Sequence, residues 1–101
     1  MIKTSAIFYG STNMLNDISW KLKNLEGLTE YIATIDGQFL YATFYTREEI
    51  TPFLQAYNTC LDGASWYNSE TNELCEFDPV FGPRRVTDAT TKEIAEWNDS
   101  F

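Results

Sequence analysis

The chain has no histidine. That removes the commonest general base, the Ser-His-Asp and Cys-His nucleophile arrangements, and most zinc sites. Its two cysteines, Cys60 and Cys75, are too few for a disulfide scaffold or a four-cysteine zinc site. Their separation fits no redox motif, so two reduced, partly buried thiols are expected. The five glycines, Gly10, Gly27, Gly37, Gly63 and Gly82, stand apart from one another. None has the spacing of a phosphate-cradling loop. No apolar run approaches the ~18 residues of a membrane helix. The opening MIKTSAIFYGST is too short and too polar for a signal peptide, and a cytoplasmic location is expected.

Basic side chains are also scarce, seven against fifteen acids, for a net charge of −8. The imbalance is not spread evenly. Residues 1–47 hold four acids and four bases, whereas residues 48–101 hold eleven acids and three bases, Arg84, Arg85 and Lys92. All the net charge therefore lies in the second half. Direct binding to nucleic acid or an anionic membrane wants a positive face and is disfavoured; a basic protein partner is permitted. At 101 residues, 44% hydrophobic and 16% aromatic, the chain can bury one core as a single domain, residues 1–101.

Residues 31–45, YIATIDGQFLYATFY, organise the reading. Two runs rich in Ile, Thr, Phe and Tyr suit a pleated surface. Asp36-Gly37 between them is a hairpin signal, expected here as the positive-φ pair of a type I′ turn. Antiparallel strands are predicted at about 29–36 and 39–45. Alternation places Leu40, Ala42 and Phe44 on one face of the second strand, and Phe39, Tyr41, Thr43 and Tyr45 on the other. The second face is either covered by another element or open for binding.

Around this hairpin, residues 2–9 read as a first strand. Ser11 or Thr12 can cap a helix over 13–25, whose apolar stripe is Met14, Leu15, Ile18, Leu22 and Leu25. Trp20 lies off that stripe. Thr46 to Glu49 reads as a capping box, yet Pro52 suits only a first helical turn; a short turn at 47–50 and a helix at 52–61 satisfy both. Residues 64–68 and 73–77 are a second hairpin candidate, and 79–83 a loop. Thr90 and Glu93 can box the start of a C-terminal helix with Ile94, Trp97 and Phe101 on one face. The expected class is α+β. An antiparallel sheet of four to five strands would carry two helices on one face, as a ferredoxin-like split β-α-β-β-α-β core plus a C-terminal helix.

Several chemistries fail on spacing. A twelve-residue calcium loop could start at Asp62 and end at Glu73, but glycine falls at its second position instead of its sixth. The segment GQFLYATFY has the rings of an RNA-recognition strand but lacks its leading basic residue. No catalytic residue, metal or cofactor is expected. The segment from Asp62 to Asp78 fits a binding role better: five acids, no base, and Trp66, Tyr67 and Phe77 among them. Aromatic anchors carry binding energy while charges steer encounter, and rows of carboxylates can imitate a phosphate track, as in a DNA mimic. The expected partner-binding residues are Tyr41, Tyr45, Trp66, Tyr67, Glu70, Glu73, Glu76 and Asp78.

The functional expectation is a small non-enzymatic inhibitor or regulator of a protein partner with a basic surface, such as a nucleic-acid-handling enzyme. It resembles in type the small acidic viral proteins with which phages antagonise host defence. The alternatives are a small-ligand-binding or carboxylate-dependent enzyme domain, and a structural subunit forming a homodimer through its sheet face.

Overall fold

A computed structural model describes residues 1–86. The elements run β1 (Ile2–Tyr9), α1 (Thr12–Lys23), β2 (Glu30–Asp36), β3 (Phe39–Thr46), α2 (Thr51–Ala56), a 3-10 turn (Asn58–Cys60), β4 (Leu61–Asn68), β5 (Glu73–Asp78) and β6 (Gly82–Arg85). The strands form one sheet in the order β2-β3-β1-β4-β5-β6, with every neighbouring pair antiparallel. Over the described residues the fold is thus α+β with one six-stranded antiparallel sheet and two helices. The C-terminal helix expected from Thr90 onward, with Ile94, Trp97 and Phe101, lies outside the described residues.

β1 occupies the middle. It pairs with β3 from Ile2↔Thr46 to Tyr9↔Phe39, and with β4 from Ile2↔Asn68 to Phe8↔Leu61, with one irregularity between Ile7 and Phe8. Period-two alternation sends Ile2, Thr4, Ala6 and Phe8 to one face, where all are buried. Leu40, Ala42 and Phe44 of β3 join them. Leu15, Ile18 and Leu22 of α1 and Leu54 of α2 close over this face, and the cluster continues through Leu61, Trp66, Cys75 and Phe77. Phe8 meets Phe53 edge-on at 6.4 Å between ring centroids.

The local signals translate as follows. Ser11 caps α1: its hydroxyl accepts from the Met14 amide at 3.3 Å. Lys21 and Lys23 occupy the last turn, where cations suit the helix dipole. Trp20, off the buried stripe, is exposed. The β2–β3 loop is Gly37-Gln38 rather than Asp36-Gly37. Asp36 pairs with Phe39, and of these loop residues only Gly37 has positive φ, at 62°. Glycine at the first central position alone is the pattern of a type II′ turn instead of type I′. A Cβ on Gly37 would meet nothing within 4 Å, so conformation alone selects glycine there.

Two expectations need correction. The second helix is shorter than 52–61. Thr46 ends β3 and its hydroxyl donates to the Glu48 carbonyl at 2.7 Å, so no capping box forms. Pro52 instead sits in the first turn of α2, where its missing N–H costs nothing. Leu61, expected on the helix, is the buried first residue of β4. Among the described residues the sheet also has six strands instead of four or five, because Gly82–Arg85, which overlaps the loop expected at 79–83, forms β6. An Asx turn delivers it: one oxygen of Asp78 accepts from the Val80 amide at 2.7 Å and the Phe81 amide at 3.0 Å. Gly82 then takes φ 83°. Pro83 is tolerated because β6 is an edge strand.

The Phe81 and Val80 amides hold the Asp78 carboxyl below its ordinary value of 3.8. A group whose folded pKa is depressed stabilises the fold above its unfolded pKa, and that contribution is lost as pH falls through the folded pKa. The Val80 and Phe81 amide resonances should therefore shift together as pH falls through the acidic carboxylate range. Asp78→Asn keeps an acceptor oxygen, so it should retain the turn and abolish the titration; NMR spectra across a pH series check both.

Candidate functional site

The strands that build the core also build a second surface. Side chains of β2, β3, β1 and β4 that alternate away from the helices share the opposite sheet face. Register brings Tyr41 beside Ile7 and Thr34, Phe39 beside Tyr9 and Asp36, Thr43 beside Ser5 and Ile32, and Tyr45 beside Lys3 and Glu30. Neither α1 nor α2 packs here. Tyr41 and Tyr9 are each 44% exposed, Phe39 40% and Ile32 72%. The rings of Phe39 and Tyr41 lie 6.2 Å apart. Tyr45 is half-buried, with the ammonium of the buried Lys3 6.0 Å from its ring centroid. Toward β5 the face dips into a hollow of about 310 Å³ lined by Ser5, Ile7, Gly63, Ala64, Ser65, Glu76 and Phe77. Small side chains make the hollow: Gly63 and Ser65 stand opposite Ile7 and Ser5.

The acidic, aromatic segment does not assemble as one surface. β4 and β5 alternate, so its members part to the two sides of the sheet. Trp66 pairs with Thr4 and Cys75 on the helix side and is 3% exposed, which makes it a core residue instead of an anchor. Its indole Nε1 is buried and has no acceptor among the described residues. Tyr67 is half-buried on the other side, between Lys3 and Leu74, and its hydroxyl donates to Asn72 Oδ1. Glu70 is exposed in the β4–β5 turn, 3.6 Å from the amino terminus.

Glu73 and Glu76 lie on opposite sides, and each has an arginine. Arg85 Nη1 donates to Glu73 and Arg84 Nη2 donates to Glu76, both at 2.9 Å. Glu73 holds the Arg85 guanidinium above its ordinary pKa. These pairs were hidden in the sequence because they depend on β6, eight and twelve residues further on. Of the expected binding residues, then, Tyr41, Tyr45, Tyr67 and Glu76 share the open face. Trp66 and Glu73 lie on the helix side, and Glu70 and Asp78 sit at turns.

Residues missed at first are Tyr9, Ile7 and Ile32. Alternation within β1 and β2 marks their side; the pairing of β1 with β3 puts Tyr9 and Ile7 beside Phe39 and Tyr41, and the β2–β3 hairpin puts Ile32 beside Thr43. Cys60 and Cys75 are free thiols. Burial, followed by the nearby Glu49 and Glu73 charges, pushes the Cys75 thiol up. Among the described residues no group of three or more Cys, Asp or Glu is placed to hold a metal, and no helix is long and apolar enough to cross a membrane. Comparison with known proteins finds no family model, no curated protein and no solved structure that matches this chain.

The two aromatic sets should respond oppositely to truncation. Trp66→Ala should cost about 3–5 kcal/mol of stability, as expected for a large buried ring. Tyr41→Ser should cost a small fraction of that. Chemical denaturation midpoints of the two variants check the contrast.

Proposed function

We propose that this chain is a small acidic binding protein, without catalysis, that regulates or inhibits a protein partner through its open sheet face. The observation that carries the reading is the cluster of Tyr9, Ile32, Phe39 and Tyr41, four large side chains exposed together on neighbouring strands. Scattered exposed apolar residues are ordinary, but a contiguous group at one face is characteristic of interaction surfaces. Tyr and Phe are also enriched in such surfaces. Among the described residues these rings stay 40–44% exposed, although the Tyr9 hydroxyl donates to the Thr59 carbonyl at 2.9 Å.

The net charge of −8 favours a partner with a basic surface. A nucleic-acid-handling enzyme has such a surface, and antagonism of one, in the manner of a phage-encoded inhibitor, is the role this reading favours. Phosphate mimicry is not part of it, because Glu73 and Glu76 lie on opposite sides of the sheet and each meets an arginine. The strand order β2-β3-β1-β4, with both helices on one face, supports reading the first four strands as a ferredoxin-like split β-α-β-β-α-β core. β5 and β6 are then additions at one edge.

A Phe39→Ser/Tyr41→Ser variant should keep its melting temperature close to that of the parent and lose at least about tenfold in partner affinity, about 1.4 kcal/mol. Parent and variant immobilised at equal density and exposed to the same lysate should differ in what they retain. The retained partner should associate more slowly as salt rises. Equal retention by both proteins, or association indifferent to salt, would remove the open face from the proposal. Sedimentation of the parent alone tests the alternative occupant, a second copy of this chain.

A further inference from the structure

The sheet has two edges among the described residues, and they are built differently. β6 has four residues, Gly82–Arg85, including a proline without an N–H and two arginines. Short length, proline and charge are the devices that blunt an edge against pairing with another chain. β2 has neither the short length nor the proline, and its only charges are the acids Glu30 and Asp36 at its two ends. It runs seven residues, Glu30–Asp36, contains no proline or basic residue, and pairs with β3 in unbroken register. Every second residue of an antiparallel strand turns its N–H and C=O away from its neighbour, so β2 presents a row of backbone groups outward. Glu30, Ile32, Thr34, Ile35 and Asp36 are all exposed.

Charge decides what can pair there. On the open face β2 carries Glu30, Ile32, Thr34 and Asp36 in alternation. Among the described residues neither acid forms a salt bridge. A second copy pairing antiparallel about Ala33 would set Glu30 of each chain opposite Asp36 of the other. Like charges directly opposite are destabilising, so the edge is biased against itself. A strand with bases at two positions six residues apart, and Thr or apolar residues between, would place a cation beside each acid. The two acids are about 20 Å apart along an extended chain, which is the span of seven paired residues.

We propose that β2 is a docking edge that accepts an extended segment of a partner protein, basic at both ends, as a seventh strand. This rests on the binding-protein reading and adds the place and form of the contact. Main-chain hydrogen bonds would supply affinity and the two acids would select the segment. The probe is a capped heptapeptide, Lys-Thr-Val-Thr-Val-Thr-Lys, with a counterpart carrying Glu at both ends.

In NMR titrations the Lys peptide should shift the β2 amides and slow their exchange with solvent. The Glu peptide should bind at least about tenfold more weakly. Glu30→Lys/Asp36→Lys should reverse that preference, and Glu30→Gln should weaken the Lys peptide without reversing it. These substitutions lie at exposed side chains, and circular dichroism confirms that the variants are folded. Equal affinity for the two peptides, or no response of β2 amides to either, overturns the docking edge. Shifts confined to Tyr9, Phe39 and Tyr41 overturn it too, while leaving the open-face reading intact. That reading fails separately, through equal retention by the Phe39→Ser/Tyr41→Ser variant.

Discussion

Pairing on both sides of β1 is the constraint from which the rest of the structure follows. β1 is held by β3 on one flank and β4 on the other, so its alternation is imposed on three strands together. Ile2, Thr4, Ala6 and Phe8 face the helices, and the residues opposite them on β3 and β4 must do the same. A slip of one residue would turn the whole apolar set outward and is heavily penalised wherever one face is buried. The helices then have a single surface to cover. α1 contributes Leu15, Ile18 and Leu22, and α2 contributes Leu54, all fully buried.

The same constraint produces the open sheet face. Once Leu40, Ala42 and Phe44 are committed to the core, Phe39, Tyr41 and Tyr45 have no choice but the opposite side. Their neighbours there are not chosen for burial alone. A covered surface of this kind would hold Ile and Val at Thr43, Thr34 and Ser5; instead polar side chains alternate with rings. The mixture suits a surface that spends part of its time in water, since the tyrosine ring is apolar while its hydroxyl can be solvated.

Charge acts at a different level from packing. The paired arginines Arg84 and Arg85 tie β6 to β5 but, being exposed, add little to stability. Their larger effect is on distribution. They offset two of the acids in the segment that looked most negative, while among the described residues Glu30 and Asp36 on the edge strand β2 form no salt bridge. Two acids therefore flank the aromatic face at β2, toward the opposite edge of the sheet from the acidic segment.

What the sequence determined by itself was local. Gly37 marks the β2–β3 hairpin because only glycine takes its backbone angle without penalty, and Ser11 marks the start of α1 because its hydroxyl answers an amide three residues on. Period-two alternation in β1 and β3 was legible for the same reason: each side chain's face is set by its own strand. The tertiary structure decided everything that required two distant segments to meet. Trp66 belongs to the core because β4 lies beside β1, and no property of ASWYN alone reveals that side. The arginines reach Glu73 and Glu76 only because an Asx turn at Asp78 folds a Gly-Pro segment back as β6. Which strand was left bare at an edge was likewise unreadable, since an edge is defined by the absence of a neighbour, and neighbours in a sheet are chosen by hydrogen bonding between segments far apart in the chain.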